Sequence, residues 1–293
     1  MTSPDHSGRT GAQASGANDL MLRAVSAAVL APMVLAITYA GGWAFLVLCV
    51  IAAGRILWEW TTLVARRADL RIIVPGWSGL VIAGGLIGTG LADAAAVVLV
   101  IEAVLAGLAV AALPRDDNSV SQIGWAAGGV FYAGAVLFGP ALLRADPQWG
   151  LTALLFLCAI VWITDIFAYC CGRTLRGPLL VPAVSPHKTW SGAIGGLFGG
   201  GAAGVAVAYA GGIGDLWIVG VMAFLLSVLA QAGDLFESAI KRRVGAKDTG
   251  DLIPGHGGLM DRIDGFLVAA FAALLIGILH QGMAAPARGL LLW

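Results

Sequence analysis

The chain has 293 residues, 59% of them hydrophobic and 12% charged, with 42 glycines and a formal net charge of zero. Soluble domains carry about a quarter charged residues, so this composition excludes an ordinary soluble domain, and the charge balance excludes a nucleic-acid binder. Glycine in long apolar runs marks transmembrane helices whose backbones approach closely.

Residues 1–19 are rich in Ser, Gly, Thr and Ala and read as a disordered cytoplasmic tail. No basic stretch runs directly into a cleavable small-residue site, so no signal peptide is expected. A span needs roughly 20 apolar residues. Nine segments qualify: 20–40, 42–58, 73–90, 92–113, 123–143, 151–172, 192–212, 216–240 and 263–283. The expected fold is therefore an all-α, polytopic membrane bundle of about nine transmembrane helices. With the N-terminus cytoplasmic, 15 of the 17 Lys and Arg residues fall on the cytoplasmic side, and only Arg144 and Arg288 lie outside. That is a strong positive-inside bias. Cys49, Cys158, Cys170 and Cys171 sit in apolar runs with no metal-like spacing and read as apolar filler.

Ionisable residues inside spans are costly and usually face a site. Glu59, between Trp58 and Trp60, reads as interfacial, within an aromatic belt. Glu102 has no readable partner. Asp165 lies near the cytoplasmic end of span six, with Tyr169 one turn later. The loop 173–191 follows, and its Ser185, Lys188 and Thr189 precede the Gly-rich span seven. Hydroxyls and a Lys at a helix start suit phosphate, and a Ser-Pro turn with a membrane-edge Trp190 reads equally well.

The densest chemistry lies in 238–264. Nine of the 34 charged residues fall within 241–264, together with His256. Asp261 and Asp264 share a helix face. Gln231, Asp234, Ser238 and Lys241 follow helical spacing on span eight. Two helix ends thereby deliver three carboxylates to one place, hard oxygen ligands suited to Mg²⁺; for Asp234 a buried ion pair with a loop cation is the alternative. Lys241, Arg242, Lys247 and Arg262 supply charge for phosphate oxygens. Arg243 suits anionic headgroups. Gly255, Gly257 and Gly258 permit a tight turn before the last span. His256 reads as a proton carrier, a phosphate donor or a turn residue.

The pattern Ser238-x-Ile240-Lys241-Arg242-x-x-x-x-Lys247-Asp248-x-Gly250-x-x-Ile253-Pro254-x-His256-Gly257-Gly258-Leu259-x-Asp261-Arg262-Ile263-Asp264 resembles the signature of phosphatidate cytidylyltransferases (CDP-diacylglycerol synthases). Asp165-x-x-x-Tyr169-x-x-Gly172 and Ser185-Pro186-x-Lys188-Thr189 resemble other blocks of that family; His187 and Ser191 stand where its form has Lys and Glu. Residues 20–143 match mainly in hydropathy. The resemblance implies a bacterial inner-membrane enzyme, active site on the cytoplasmic side. It would join CTP to phosphatidic acid, release pyrophosphate, work among membrane lipids and form a homodimer. It implies Mg²⁺, with K⁺ as a companion ion, held by Asp234, Asp261 and Asp264. Asp261, Lys241 and Asp234 are the expected catalytic residues. Ser185, Lys188, Thr189, Ser238, Lys241, Arg242, Lys247, Asp248, His256, Arg262 and Asp165 are the expected substrate-binding set. On this view spans one to five (20–143) precede a catalytic part, 151–283, with cytoplasmic loops 173–191 and 241–262. An apolar lateral cleft beside spans six, eight and nine would take the acyl chains. A CTP-dependent lipid kinase is the nearest rival, and a transporter a more distant one.

Overall fold

The computed structural model describes residues 31–65, 68–112, 119–246, 248–250 and 257–293. Lys247 and His256 lie outside the described residues. Eight helices are long and apolar enough to cross a membrane, and a shorter apolar helix, α1 (Ala31–Ala40), precedes them. The eight are α2 (Gly42–Ala65), α3 (Leu70–Gly88), α4 (Ala92–Ala111), α5 (Ser119–Arg144), α6 (Gly150–Leu175), α7 (Trp190–Ala210), α8 (Leu216–Arg243) and α9 (Met260–Gln281). The all-helical, polytopic membrane reading holds.

Four details differ from the sequence expectation. The segment after α6 contains an antiparallel hairpin, β1 (Leu179–Val181) paired with β2 (Ser185–Thr189). Helix α8 continues through Lys241, Arg242 and Arg243, because these straight-chain cations favour helix and complement its C-terminal dipole. Helix α9 starts at Met260, so Asp261 and Arg262 belong to its first turn. A six-residue helix, α10 (Pro286–Leu291), also folds back on α9.

Packing explains the glycines that matter. Helix α7 lies against α6 so closely that a Cβ at Gly196 would sit 2.8 Å from the Thr164 carbonyl oxygen. Helices α8 and α9 cross through a reciprocal pair. A Cβ at Gly233 would be 2.7 Å from the Asp264 carbonyl oxygen, and one at Gly265 would be 3.0 Å from that of Ala230. Small residues of this kind let membrane helices touch backbone to backbone. Each glycine adjoins an acid, Asp234 or Asp264, so the tightest point of the crossing brings two carboxylates side by side.

The two cations assigned to the outer side are structural. Arg144 donates to the carbonyls of Thr38 (2.7 Å) and Tyr39 (2.8 Å), satisfying the end of α1. Arg288 pairs with Asp146 at 3.0 Å.

Candidate active site

At the opposite end of the bundle, α6, the hairpin, the start of α7 and α8 enclose a cavity of about 640 Å³. Asp165, Tyr169, Arg173, Ser185, His187, Lys188, Thr189, Gln231 and Asp234 line it. The Lys188 ammonium is paired with the Asp234 carboxylate, and the two side chains remain 29% and 37% exposed. Asp165 and Asp264 both lie within electrostatic reach of this pair. Thr189 has a structural duty: as N-cap of α7, its hydroxyl oxygen accepts from Gly192 N–H at 3.1 Å. Ser191 donates to the Arg176 carbonyl, pinning the hairpin base to the end of α6. Arg242 Nε donates to the Val184 carbonyl at 3.3 Å, tying the hairpin turn to α8.

A second cluster lies behind Asp264. Lys241 Nζ is 2.9 Å from Asp261 Oδ1 and 3.1 Å from Glu237 Oε1. Asp261 Oδ2 accepts from Gly258 N–H (2.9 Å), Thr249 N–H (3.0 Å) and the Thr249 hydroxyl (3.0 Å). Gly257 takes φ +81°, a left-handed conformation that favours glycine and delivers the Gly258 N–H to this carboxylate. Asp261 and Glu237 are 8% and 1% exposed, and the Asp261 charge is held by Lys241, two backbone amides and the Thr249 hydroxyl rather than by water. Asp264 Oδ1 accepts from Gly265 N–H at 2.7 Å.

Asp165, Asp234, Glu237, Asp261 and Asp264 are thus met by Lys188 and Lys241. These five acids outnumber the nearby cations Lys188, Lys241 and Arg173 in a partly buried setting, and hard oxygen donors fit Mg²⁺. Among the described residues, no three Asp, Glu, His or Cys side chains converge tightly enough to hold an ion by themselves.

The sequence-selected residues therefore divide. Asp165, Ser185, Lys188, Thr189 and Asp234 share the cavity. Lys241 and Asp261 form the second cluster, and Asp264 stands between. The stripe expected along α8 splits: Gln231 and Asp234 face the cavity, Lys241 turns to Asp261, and Ser238 is half-buried without lining the cavity. Arg262 is exposed in the first turn of α9, and Asp248 is exposed beside a separate recess with Thr62 and Val244.

Two acids escaped sequence reasoning. Glu237 is four residues before Lys241 and three after Asp234, an intramembrane acid whose position carried the signal. Glu59, read as interfacial, is fully buried and accepts from the N–H groups of Leu259 (2.9 Å) and Met260 (2.7 Å). The apolar cleft also differs. A groove of about 740 Å³ opens between α5, α8 and α9, with Trp60 of α2 in its wall and no residue of α6.

A multi-pass helical bundle with a carboxylate-rich, lysine-neutralised cavity at one end defines a membrane-embedded enzyme. Residues 21–279 match the model of the cytidylyltransferase family. The phosphatidate cytidylyltransferase of Brucella abortus biovar 1 (strain 9-941) is 42% identical over 260 residues, covering 89% of this chain and 94% of that protein. The protein of the same name from Brucella suis biovar 1 (strain 1330) gives the same identity and coverage. That of Staphylococcus aureus (strain COL) is 41% identical over 131 residues, 44% of this chain and 49% of that protein. The chain belongs to the cytidylyltransferase family.

Proposed function

We propose that the protein is a phosphatidate cytidylyltransferase: it transfers the cytidylyl group of CTP to phosphatidic acid, releasing pyrophosphate and forming CDP-diacylglycerol. The observation that carries this reading is the cavity in which Lys188 and the hydroxyls of Ser185 and Thr189 face Asp234 and Asp165. Its volume falls within the roughly 300–1,000 Å³ range of small-molecule sites.

The reaction brings two polyanions together. The attacking phosphate monoester is already anionic, carrying about −1.5 to −2 charge near neutral pH, so no strong general base is needed. Positioning and charge neutralisation are then the main tasks. Lys188 is the exchangeable cation: its half-exposed pair with Asp234 can open, the ammonium passing to the triphosphate and the carboxylate becoming available. Ser185, Arg173 and the N-terminal end of α7 lie on the same wall and favour anionic oxygens. Arg242, Lys247, Asp248, His256, Arg262 and Ser238 retain their assignment to the substrates' polar groups. Asp234, Asp261 and Asp264 would hold Mg²⁺, and K⁺ as a companion ion would share the acidic excess. When bound, the metal would neutralise phosphate oxygens and polarise the α-phosphorus.

The acyl chains belong in the α5–α8–α9 groove. Its wall is aromatic and apolar, with Trp125, Phe236 and Phe271. Arg243 stands at one end, 5.4 Å from the Trp125 ring centroid, placed for an anionic headgroup. Tyr132 lines the groove, is 9% exposed, and its hydroxyl meets no hydrogen-bond partner among the described residues. An ester oxygen of a lipid would satisfy it. Tyr132 also lies within electrostatic reach of Glu237 and Asp264, so the groove backs onto the acidic cluster from the side opposite the cavity.

This assignment places the protein in a bacterial inner membrane as a homodimer, with the active site facing cytosolic CTP. The test is purified protein in detergent or nanodiscs with CTP, phosphatidate and Mg²⁺. CDP-diacylglycerol and pyrophosphate should accumulate in equal amounts. CTP turnover without a CDP-lipid would remove the reading.

A further inference from the structure

Glu59 sits on α2 and lines neither the cavity nor the groove. Its carboxylate nevertheless completes the start of α9. The residue before that helix, Leu259, supplies no side-chain cap. Helix N-termini leave N–H groups without partners, and their dipole favours negative charge. Here Glu59 Oε1 accepts from Leu259 N–H and Oε2 from Met260 N–H, while Asp261 takes Gly258 N–H. Two carboxylates from two helices thus satisfy three consecutive amides. Arg55, one turn earlier on α2, pairs with Glu59 at 2.9 Å and balances its buried charge.

Thr249 couples the two acids. Its hydroxyl lies 3.0 Å from Asp261 Oδ2 and 3.4 Å from Glu59 Oε2, and its one proton serves one of them at a time. Its own N–H fixes the same Asp261 oxygen. Gly258 is needed for this closure: a Cβ there would meet Thr249 Oγ1 at 2.2 Å and Glu59 Oε2 at 2.7 Å. The arrangement is continuous from α2 through Thr249 and Asp261 to Lys241 and Glu237 on α8.

We infer that Glu59 is a positioning residue for Asp261, so that the N-terminal spans set the orientation of an active-site carboxylate through α9's first turn. The inference rests on the reading of Asp261 as a group that serves the reaction. Fixed partners behind a metal-facing carboxylate usually matter by about 10–100-fold in metal affinity or activity.

The test compares Glu59→Gln, Thr249→Val and Asp261→Asn in purified full-length protein. Glu59→Gln keeps length and one acceptor but turns an NH₂ toward an N–H donor. Thr249→Val removes only the hydroxyl link and keeps the backbone N–H. Both should raise the half-activating Mg²⁺ concentration about 10–100-fold, with KM for phosphatidate unchanged. Without metal or substrate, hydrogen exchange at the amides of Gly258, Leu259 and Met260 should accelerate in Glu59→Gln, while the cores of α6 and α7 keep their protection. A merely structural Glu59 would lower Tm and protection throughout and leave the Mg²⁺ midpoint of the surviving enzyme at the wild-type value. That result, or a wild-type midpoint in a stably folded Thr249→Val with Glu59→Gln unfolded, overturns the inference. An inactive Asp261→Asn beside an unaffected Glu59→Gln removes the positioning role alone. An active Asp261→Asn removes the reading beneath it as well.

Discussion

Asp234 and Asp261 lie on adjoining helices of one acidic region, yet their surroundings are opposite. Asp234 is 37% exposed and pairs with Lys188, on a hairpin that is itself at the surface. Asp261 is 8% exposed and is held by Lys241, two backbone amides and a hydroxyl. An exposed pair costs little to open, whereas a buried, hydrogen-bonded one is expensive to break. On the proposed reading, the first carboxylate exchanges partners when substrate arrives and the second stays where it is. A site that must admit two polyanions and then hold their phosphates in line needs both kinds.

That contrast can be broken experimentally. The largest effect is expected for Asp261→Asn, which should cut turnover by more than about 100-fold, read as kcat in protein whose elution profile is unchanged. Lys241→Met should follow. It leaves Glu237 and Asp261 facing one another without their shared cation, a loss of about 3–5 kcal/mol for a buried pair, read as a lower Tm together with lost activity. Lys188→Ala should act differently: KM for CTP should rise with little change in Tm, because the exposed pair contributes about 0–1 kcal/mol to stability. If Lys188→Ala and Lys241→Met lowered Tm equally, the distinction between an exchangeable and a fixed cluster would fail. Tyr132→Phe should be mildest. Losing one hydrogen bond worth about 0.5–1.5 kcal/mol should raise KM for phosphatidate a few-fold and leave KM for CTP alone.

The sequence disclosed the membrane bundle because its apolar runs are long, and the acids inside spans because charge there is rarely idle. Asp165 and Asp234 were legible for that reason, Asp261 from its helical spacing to Asp264, and Lys188 from its place beside hydroxyls at a helix start. Glu59 was read only from its neighbours Trp58 and Trp60; its partners are some 200 residues away in sequence, and no local pattern points to them. Glu237 was passed over, although its spacing to Asp234 and Lys241 on one helix carried a signal. The hairpin could not be seen, since strands of three and five residues are too short for a period-two signal, and Pro186 interrupts the second. An apolar cleft was expected beside α6 because the acids drew attention there; the groove proposed for the acyl chains lies where Trp60, Trp125 and Tyr132 meet, an arrangement only tertiary packing creates.

The central claim is cytidylyl transfer at this site, and the label position in CTP tests it most directly. Purified protein is given phosphatidate, Mg²⁺ and CTP labelled at either the α- or the γ-phosphate. The account predicts that α-label enters the lipid and γ-label leaves in pyrophosphate, with both movements lost in Asp261→Asn. Label from the γ-phosphate in the lipid would contradict it and make the protein a lipid kinase.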